Sequence, residues 1–250
     1  MISIRLKHYG NKLTCITFVV LGNSMSKQKL NSKEQNVLVS VIITCHNLED
    51  YIGRAIRSCL NQTIDEEKYE VIVVDDASKD GSKNIISEFK DFIEPIWLNE
   101  NVGVAEASNV GIKKSRGDYI IRVDGDDFIN KNSLFVMSQV LDWNEDIGFV
   151  YCDHILVNEE GERKQDINTL EKLLNHGAGV MFRKFYLESI GLYNPKLRNS
   201  EDYDLVLRYI KNFNGYHLRL PYYRYFKRIN SLSTKIEERE RLQKKIREKH

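Results

Sequence analysis

Between residues 39 and 123 the chain alternates short apolar runs, rich in β-branched residues, with longer segments of helical periodicity. This alternation predicts a series of strands separated by helices. The predicted strands are residues 39–44, 70–75, 95–98 and 119–123, and the predicted helices are residues 49–60, 82–92 and 103–114. Strands that alternate with helices of this length favour right-handed crossovers. We therefore expect an α/β fold with a mostly parallel central sheet flanked by helices.

Beyond residue 128 the pattern becomes mixed. It predicts helices at residues 133–143, 169–174 and 184–190, a strand at 149–157, a turn at 158–161, and a strand pair within 215–226 around Pro221. Ser200 is expected to cap a helix that extends to residue 212, with Glu201 and Asp202 in its first turn. A highly charged terminal helix is expected to begin at Ser233.

The composition excludes several classes of protein. A chain of 250 residues with 42% hydrophobic side chains can bury the core of one compact unit. The 37 Lys and Arg residues balance 36 Asp and Glu residues, so no general field attracts the chain to nucleic acid, and no nucleic-acid partner is expected. The 4 cysteines form no CxxC pair, which favours a cytoplasmic protein without a structural zinc.

The N-terminal segment resembles a weak signal peptide, because Lys7 and Lys12 precede an apolar run at residues 13–22. This run is too short to span a bilayer. We expect residues 1–36 to be a disordered leader or the result of a misassigned start. A targeting or membrane-contact role is the open alternative.

Polar residues follow each predicted strand of the first half. Thr44 and His46 come after the first strand, Asp75 and Asp76 after the second, Asn99 and Asn101 after the third, and residues 124–127 after the fourth. Because the carboxyl ends of parallel strands meet at one edge of a sheet, these side chains are expected to converge on one crevice. Turn formation alone is the alternative for any single loop.

The loop at residues 124–127 is acidic. Residues two apart in an extended loop point to the same side, so Asp124 and Asp126 can face one ligand while Asp127 turns away. Gly125 between them permits a close approach of the backbone. Two carboxylates do not complete a cage for Mg²⁺ or Mn²⁺, and such an ion takes its other ligands from water and substrate phosphates. The spacing suggests a diphosphate substrate, although acidic loops are also often only solvated or capping.

Several segments together resemble family 2 glycosyltransferases. They are residues 39–47, 71–81 (VIVVDDASKDG), 101–111, 117–128 (GDYIIRVDGDDF) and 200–209 (SEDYDLVLRY). The resemblance implies the GT-A fold, with a nucleotide-sugar-binding half at residues 37–128 and an acceptor-binding, catalytic-base half at residues 129–233, followed by a charged C-terminal helix at 234–250. It also implies transfer of a sugar from a nucleotide-activated donor with inversion at the anomeric carbon.

The resemblance assigns the donor site residue by residue. Asp76 matches the carboxylate that accepts a hydrogen bond from the nucleobase, with Thr44 and His46 at the same base and ribose. Because an ionised carboxylate only accepts hydrogen bonds, uracil or thymine is favoured, and hence a UDP- or dTDP-sugar. The alternatives are that Asp76 only shapes the turn before the helix and that His46 is a satisfied loop histidine. Asn47 and Gly103 lie in the matching segments and are expected at the same site.

The resemblance also assigns the metal and the phosphates. Asp126 matches the direct ligand of Mn²⁺ or Mg²⁺, and Asp124 matches the position beside the ribose and diphosphate and shares the metal site. Near the C-terminus the family often carries a His that closes over the diphosphate. Lys227 and Arg228 stand there in this chain, and Arg228 is a cation suited to a phosphate.

Inverting transfer needs a base that removes the proton of the acceptor hydroxyl. The family's Glu-Asp pair matches Glu201 and Asp202, and Asp202 is the candidate base. Adjacent helix residues point about 100° apart, so Glu201 is expected to orient the acceptor or a neighbouring group. The alternative is a helix N-terminus that carries acids for its dipole. Residues 177–179 (GAG) either admit the acceptor or form a simple turn.

The sequence therefore predicts metal-dependent inverting transfer of a sugar to a hydroxyl of a glycan or lipid-linked glycan, as in polysaccharide biosynthesis for a cell envelope. A non-catalytic sugar-nucleotide-binding module stays open. A sugar nucleotidyltransferase or a dehydrogenase is disfavoured, because residues 44–48 contain neither an Arg-containing glycine-rich loop nor GxGxxG. The terminal helix is expected to be solvated. Its alternative is contact with anionic lipid at the inner face of the membrane.

Overall fold

The computed structural model describes residues 37–161, 163–228 and 236–249. These residues belong to one compact unit. The predicted leader at residues 1–36 and the predicted helix start at Ser233 lie outside the described residues.

The first half forms the parallel part of the sheet. Its elements are β1 (Val39–Cys45), α1 (Ile52–Leu60), β2 (Tyr69–Asp75), α2 (Ser82–Glu88), β3 (Glu94–Trp97), α3 (Val104–Lys114) and β4 (Tyr119–Asp124). The strands lie in the order β3-β2-β1-β4, and every neighbouring pair among them is parallel. The predicted alternation of strands and helices is confirmed, so the polar residues that follow β1, β2 and β4 lie at one edge of the sheet.

The second half extends the same sheet. Its elements are β5 (Phe128–Ile129), α4 (Ser133–Trp143), β6 (Ile147–Val157), β7 (Arg163–Asp166), α5 (Leu170–His176), β8 (Val180–Arg183), α6 (Lys184–Ser189), α7 (Glu201–Ile210), β9 (Asn214–Phe226) and α8 (Ile236–Lys249). The order continues from β4 through β8, β6 and β9 to β5, and β7 pairs with β6. The two predicted halves thus share one sheet, and their separate donor and acceptor roles stay predictions.

The region around Pro221 is one strand, and the predicted strand pair is wrong. β9 runs parallel to β6 over its whole length, and its register shifts where Asp153 faces Pro221. Proline has no backbone N–H to donate, so the ladder is interrupted there without the chain turning back. β9 then continues to Phe226 and pairs with β5 on its other side.

Alternate residues of β1 face opposite layers of the fold. Val39, Val41 and Ile43 pack in a core cluster that includes residues of α1 and α4. Ile42 packs in a second cluster that includes residues of α3 and α7. All of β1 is buried, as expected of a strand covered on both faces. Side chains of β4 that share the face of Ile42 therefore point toward α7.

Ser200 precedes α7 but does not cap it through its side chain. Its φ is 65°, in the left-handed region, and its buried hydroxyl has no hydrogen-bond partner among the described residues. An N-cap that accepts from the first turn usually needs an extended backbone, which this residue lacks. The predicted side-chain cap is therefore wrong, although the helix starts where the sequence predicts.

α8 is only partly solvated, which corrects the prediction of a solvated terminal helix. It contacts α7, and its residues Gln243 and Ile246 are buried. The Arg247 guanidinium lies over the ring of Tyr203 in α7, 5.8 Å from its centroid. Among the described residues, no helix has the length and apolar character needed to cross a bilayer.

Candidate functional site

A cavity of about 450 Å³ opens at the carboxyl ends of β1, β2 and β4, beside the first turn of α7. It is lined by all but one of the residues that the sequence assigns to the site. These are Thr44, His46, Asp76, Gly103, Asp124, Gly125, Asp126, Glu201, Asp202 and Arg228. Strand ends and a helix start that are far apart in the chain thus meet at one place.

Asn47 lies outside the residues that line this cavity, so its predicted contact with the nucleotide is not supported by the geometry. Its side-chain oxygen accepts a hydrogen bond from the backbone N–H of Lys79 at 2.8 Å, and its own backbone N–H donates to Ser78 Oγ at 3.0 Å. These two hydrogen bonds join the loop after β1 to the loop after β2.

His46 is an exposed loop histidine at the edge of the cavity. Its Nδ1 lies 2.7 Å from the backbone oxygen of Asp76, which can only accept, so Nδ1 carries the proton. Nε2 is then the acceptor for the Asn47 side-chain amide, 3.1 Å away. Both ring nitrogens therefore have protein partners.

Asp76 holds the loop that follows β3. Its Oδ1 accepts from the backbone N–H of Val102 at 2.7 Å, and its Oδ2 accepts from Gly103 N–H at 2.8 Å and from Asn101 Nδ2 at 3.0 Å. Each carboxylate oxygen has two acceptor sites, so Oδ1 retains capacity for one further donor. The residue thus organises the cavity wall and can still accept a hydrogen bond from a ligand.

Gly125 allows the acidic loop to approach the end of β1. A Cβ at this position would lie 2.7 Å from the backbone oxygen of Thr44 and 2.8 Å from Leu48 Cδ1. The Gly125 N–H donates to the same Thr44 oxygen at 3.1 Å. The close backbone approach expected at Gly125 is therefore an approach to β1 of the same chain.

Asp127 fixes the acidic loop to β9. Its Oδ2 accepts from the Tyr223 hydroxyl at 2.7 Å, and its Oδ1 accepts from the backbone N–H of Phe226 at 2.7 Å. The residue is buried at the wall of the cavity, which Asp124 and Asp126 also line. Asp127 thus differs from the other two carboxylates of the loop in that both of its oxygens are bonded to β9.

Arg122 connects the acidic loop to the first turn of α7. This buried guanidinium lies 3.1 Å from Asp124 Oδ1 through Nε, 2.9 Å from Asp202 Oδ2 through Nη2, and 3.7 Å from Glu201 Oε1 through Nη1. One buried cation therefore faces three carboxylates, and the local balance of charge is negative.

Two carboxyl groups of the cavity, those of Glu201 and Asp126, resist ionisation. Burial raises the pKa of Glu201 to about 7, and the charge of Asp202 adds to this effect while Arg122 opposes it. Burial also raises the pKa of Asp126, with Asp124 adding to it and Arg228 opposing it. A cation that enters the cavity would stabilise the ionised forms of these groups.

Asp124 and Asp126 fit a divalent cation that takes most of its ligands from elsewhere. Asp124 Oδ1 is buried and accepts no hydrogen bond from the described residues, although it forms an ion pair with Arg122 Nε, and Asp126 Oδ2 accepts from Arg228 Nε at 2.6 Å. No group of three or more His, Cys, Asp or Glu side chains in those residues forms a complete metal site. The donor set is therefore suited to Mg²⁺ or Mn²⁺ carried with a diphosphate.

Asp202 lies directly against the glycine that follows α5. A Cβ on Gly177, whose φ is 39°, would be 2.6 Å from both Cγ and Oδ1 of Asp202. Asp202 Oδ1 is buried and has no hydrogen-bond partner among the described residues. The glycine therefore serves to seat the carboxylate, in addition to forming a turn.

Three arginines of the site were not identified from the sequence. Arg122, Arg198 and Arg239 all line the cavity. Arg122 could have been found, because a charged residue inside a buried strand requires a partner. The positions of Arg198 and Arg239 depend on tertiary packing and have no comparable local signal.

Comparison with known proteins identifies relatives of this chain. A family model described as glycosyl transferase family 2 matches residues 40–191. An uncharacterized glycosyltransferase of Rickettsia typhi is 31% identical over 191 residues, which are 70% of this chain and 59% of that protein. Chondroitin synthase of Escherichia coli is 29% identical over 194 residues, which are 73% of this chain and 28% of that enzyme. The chain thus spans only part of the length of these relatives.

Solved structures show the same fold. Staphylococcus aureus TarS 1–349 in complex with UDP-GlcNAc has a TM-score of 0.69 and 24% identity, covering 80% of this chain and 61% of that chain. The mannosyltransferase PcManGT from Pyrobaculum calidifontis, in complex with GDP-Man and Mn²⁺, has a TM-score of 0.60 and 17% identity, covering 78% and 57%. The predicted α/β fold of GT-A type is confirmed. Because the family model matches more than half of its length, the chain belongs to glycosyl transferase family 2.

Proposed function

We propose that this protein transfers a sugar from a UDP- or dTDP-sugar to a hydroxyl of a glycan or lipid-linked glycan, with a divalent cation and with inversion. One observation carries the proposal. A single cavity holds Asp76, the pair Asp124 and Asp126, and Asp202, which are suited to a nucleobase, a metal-bound diphosphate and an acceptor hydroxyl. Family membership supports the same reaction class.

The donor is assigned from Asp76 and from the loop that it holds. Oδ1 of Asp76 accepts one hydrogen bond from the protein and has room for a second, which a base edge with an N–H can supply. Uracil and thymine have such an N–H at N3, and guanine has one at N1, so this contact is compatible with uridine, thymidine and guanosine donors. The UDP-GlcNAc complex of TarS supports a uridine donor. The GDP-Man complex of PcManGT makes a guanosine donor the alternative that the experiment must test.

The cation is assigned to Asp124 and Asp126, with the remaining ligands from the diphosphate and water. When bound, such an ion stabilises the negative charge that develops on the departing diphosphate. Arg228 and the cation can share the carboxylate of Asp126, because each of the two carboxylate oxygens can bind a partner independently. Arg228 thus adds a positive charge beside the diphosphate.

Asp202 is the proposed base. Arg122 holds Oδ2 in place, while Oδ1 has no partner among the described residues and can accept the proton of an acceptor hydroxyl. Glu201, adjacent on the helix and facing Arg122 at a longer distance, is proposed to orient the acceptor. A role in polysaccharide biosynthesis, a cytoplasmic location and contact with the inner face of the membrane stay predictions.

The proposal is tested by a thermal-shift screen of UDP-, dTDP- and GDP-sugars with and without Mn²⁺. A ligand that binds only the native state raises the melting temperature, and we expect this for a UDP- or dTDP-sugar with Mn²⁺. The Asp126→Ala variant should lose the Mn²⁺-dependent part of the shift. The exposed Asp146→Ala variant is the control and should behave as wild type.

The base is tested separately by release of the nucleoside diphosphate in the presence of acceptor. Asp202→Asn should keep the thermal shift and lose turnover by about 10²–10⁴-fold, the usual contribution of a general base. Wild-type turnover in this variant would refute the assignment of Asp202. Donor binding without any turnover in the wild type would instead favour a non-catalytic binding module.

A further inference from the structure

The C-terminal helix contributes a cation to the cavity. Arg239, in the first turn of α8, lines the same cavity as Asp126 and Asp202. We propose that Arg239 binds the diphosphate of the donor, so that α8 is part of the donor site. This inference rests on the proposed function and adds a residue and an element to it.

Arg239 differs from the other arginines of the cavity in its partners. Arg122 faces three carboxylates, and Arg228 pairs with Asp126. Arg198 donates to the neutral side-chain oxygen of Asn101. Arg239 has no carboxylate within 4.0 Å among the described residues, and its buried Nε has no hydrogen-bond partner among them. A buried guanidinium Nε–H without an acceptor is costly unless a ligand supplies one.

A further cation in the cavity would favour the chemistry of transfer. The cavity is lined by Asp124, Asp126, Glu201 and Asp202, whose negative charge is only partly offset by Arg122 and Arg228 and repels an incoming diphosphate. A divalent cation offsets part of this charge. The diphosphate then gains a further negative charge as its bond to the sugar breaks, and a guanidinium with several donors can stabilise that charge through paired hydrogen bonds.

The position of Arg239 is maintained by packing along α8. A helix of 14 residues is marginal in isolation, so its position depends on tertiary contacts. Gln243 and Ile246 are buried, and Arg247 lies over Tyr203 of α7. Because α7 also carries Asp202, α8 presents Arg239 from the side of the proposed base. The nucleobase is proposed to lie on the other side, near Asp76.

The test compares Arg239→Met, Arg239→Lys and Arg241→Ala in the full chain. Methionine retains much of the apolar stem of arginine and removes the charge, while lysine retains a charge. Arg241 is exposed and lies two residues further along the helix, about 200° around its axis, and so serves as the matched control. Isothermal titration calorimetry measures the affinity for UDP with Mn²⁺ and for uridine, which lacks the diphosphate.

We expect Arg239→Met to weaken UDP binding by about 10-fold or more, the loss typical of charge-assisted hydrogen bonds, and to leave uridine binding within about 2-fold. Arg239→Lys should recover part of the loss, and Arg241→Ala should match the wild type. Equal UDP affinity in the wild type and Arg239→Met would overturn the inference alone. A wild type that binds no nucleoside diphosphate would overturn the proposed function together with it.

Discussion

Arg122 occupies a position in β4 where its neighbours in the strand are apolar and buried. Removing one partner of a buried ion pair typically costs about 3–5 kcal/mol, so a lone arginine could not be retained at this position without its carboxylates. Its contacts with Asp124 and Asp202 join the proposed metal ligand to the proposed base. One side chain of the sheet thus links the two carboxylates whose relative position the proposed transfer would require.

At the scale of single residues, the carboxyl group of Glu201 makes the stability of the folded protein depend on pH. Burial raises its pKa from the ordinary value of 4.5 to about 7, so the folded state binds this proton more tightly than the unfolded state does. Stability is therefore reduced as the pH rises from about 4.5 through 7, by a few kcal/mol at most. A glutamine at this position has no charge to bury, so it does not cause this loss of stability.

We expect Glu201→Gln to melt at a higher temperature than the wild type at pH 8, with most of the difference absent at pH 5. Melting temperatures of the ligand-free proteins measure this directly. Glu188→Gln, at a side chain that is 51% exposed, is the control and should follow the wild type at both pH values. A Glu201→Gln difference of equal size at pH 5 and pH 8 would contradict the explanation from buried charge.

At the scale of elements, the site depends on contacts between the two halves of the chain. The acidic loop after β4 is bonded to β9 through Asp127, and Arg122 of β4 is paired with α7. α5 contributes through the glycine at its end, because any side chain on Gly177 would displace the carboxylate of Asp202. The strands position the residues proposed to bind the donor, and the helices of the second half position the proposed base.

Gly177→Ala and Gly191→Ala form a matched pair that tests this role of α5. Both glycines follow a helix and have positive φ, 39° and 76°, so each alanine should cost about 1–2 kcal/mol of stability. Only the alanine at residue 177 meets Asp202, because nothing lies within 4 Å of a Cβ on Gly191.

Turnover should consequently fall by about 10²-fold in Gly177→Ala, as a displacement of about 1 Å at a catalytic group can cause, and should be retained in Gly191→Ala. Release of the nucleoside diphosphate measures turnover, and calorimetry with UDP should show unchanged donor affinity in both variants. Equal turnover in the two variants would mean that Gly177 does not position the base.

At the scale of the whole molecule, the sequence predicted the first half of the fold better than the second. The periodicities of β1 to β4 and α1 to α3 are local, and right-handed crossovers restrict how they can assemble. The long pairing of β6 with β9 joins residues more than 60 positions apart, for which a single sequence has no local signal. Pro221 consequently suggested a turn where the structure has a continuous strand.

The sequence identified the carboxylates of the site more fully than the arginines beside them. Asp76, Asp126 and Asp202 were assigned to one site from strand ends and motifs, and the structure brings them to one cavity. Arg239 could not be found in this way. Residues of both charges alternate along α8. Which of them lines the cavity is determined by the face of the helix that packs on α7.

The shared sheet leads to a prediction about unfolding. β8 of the second half pairs with β4 of the first half, so a strand of each predicted half completes the hydrogen bonding of the other. Neither half can then lose its structure without exposing strand edges and core of the other. We expect one cooperative transition in scanning calorimetry, with agreement between the calorimetric and van't Hoff enthalpies.

UDP with Mn²⁺ should raise the midpoint of this whole transition, even though the nucleoside is proposed to contact only the first half, because the ligand binds the native state alone. Asp126→Ala is the control and should show the same single transition with a smaller shift. Two separate transitions, of which UDP and Mn²⁺ move only one, would show that the halves fold independently. In that case the cavity would be a junction between two units, and loss of the second half would spare nucleoside binding.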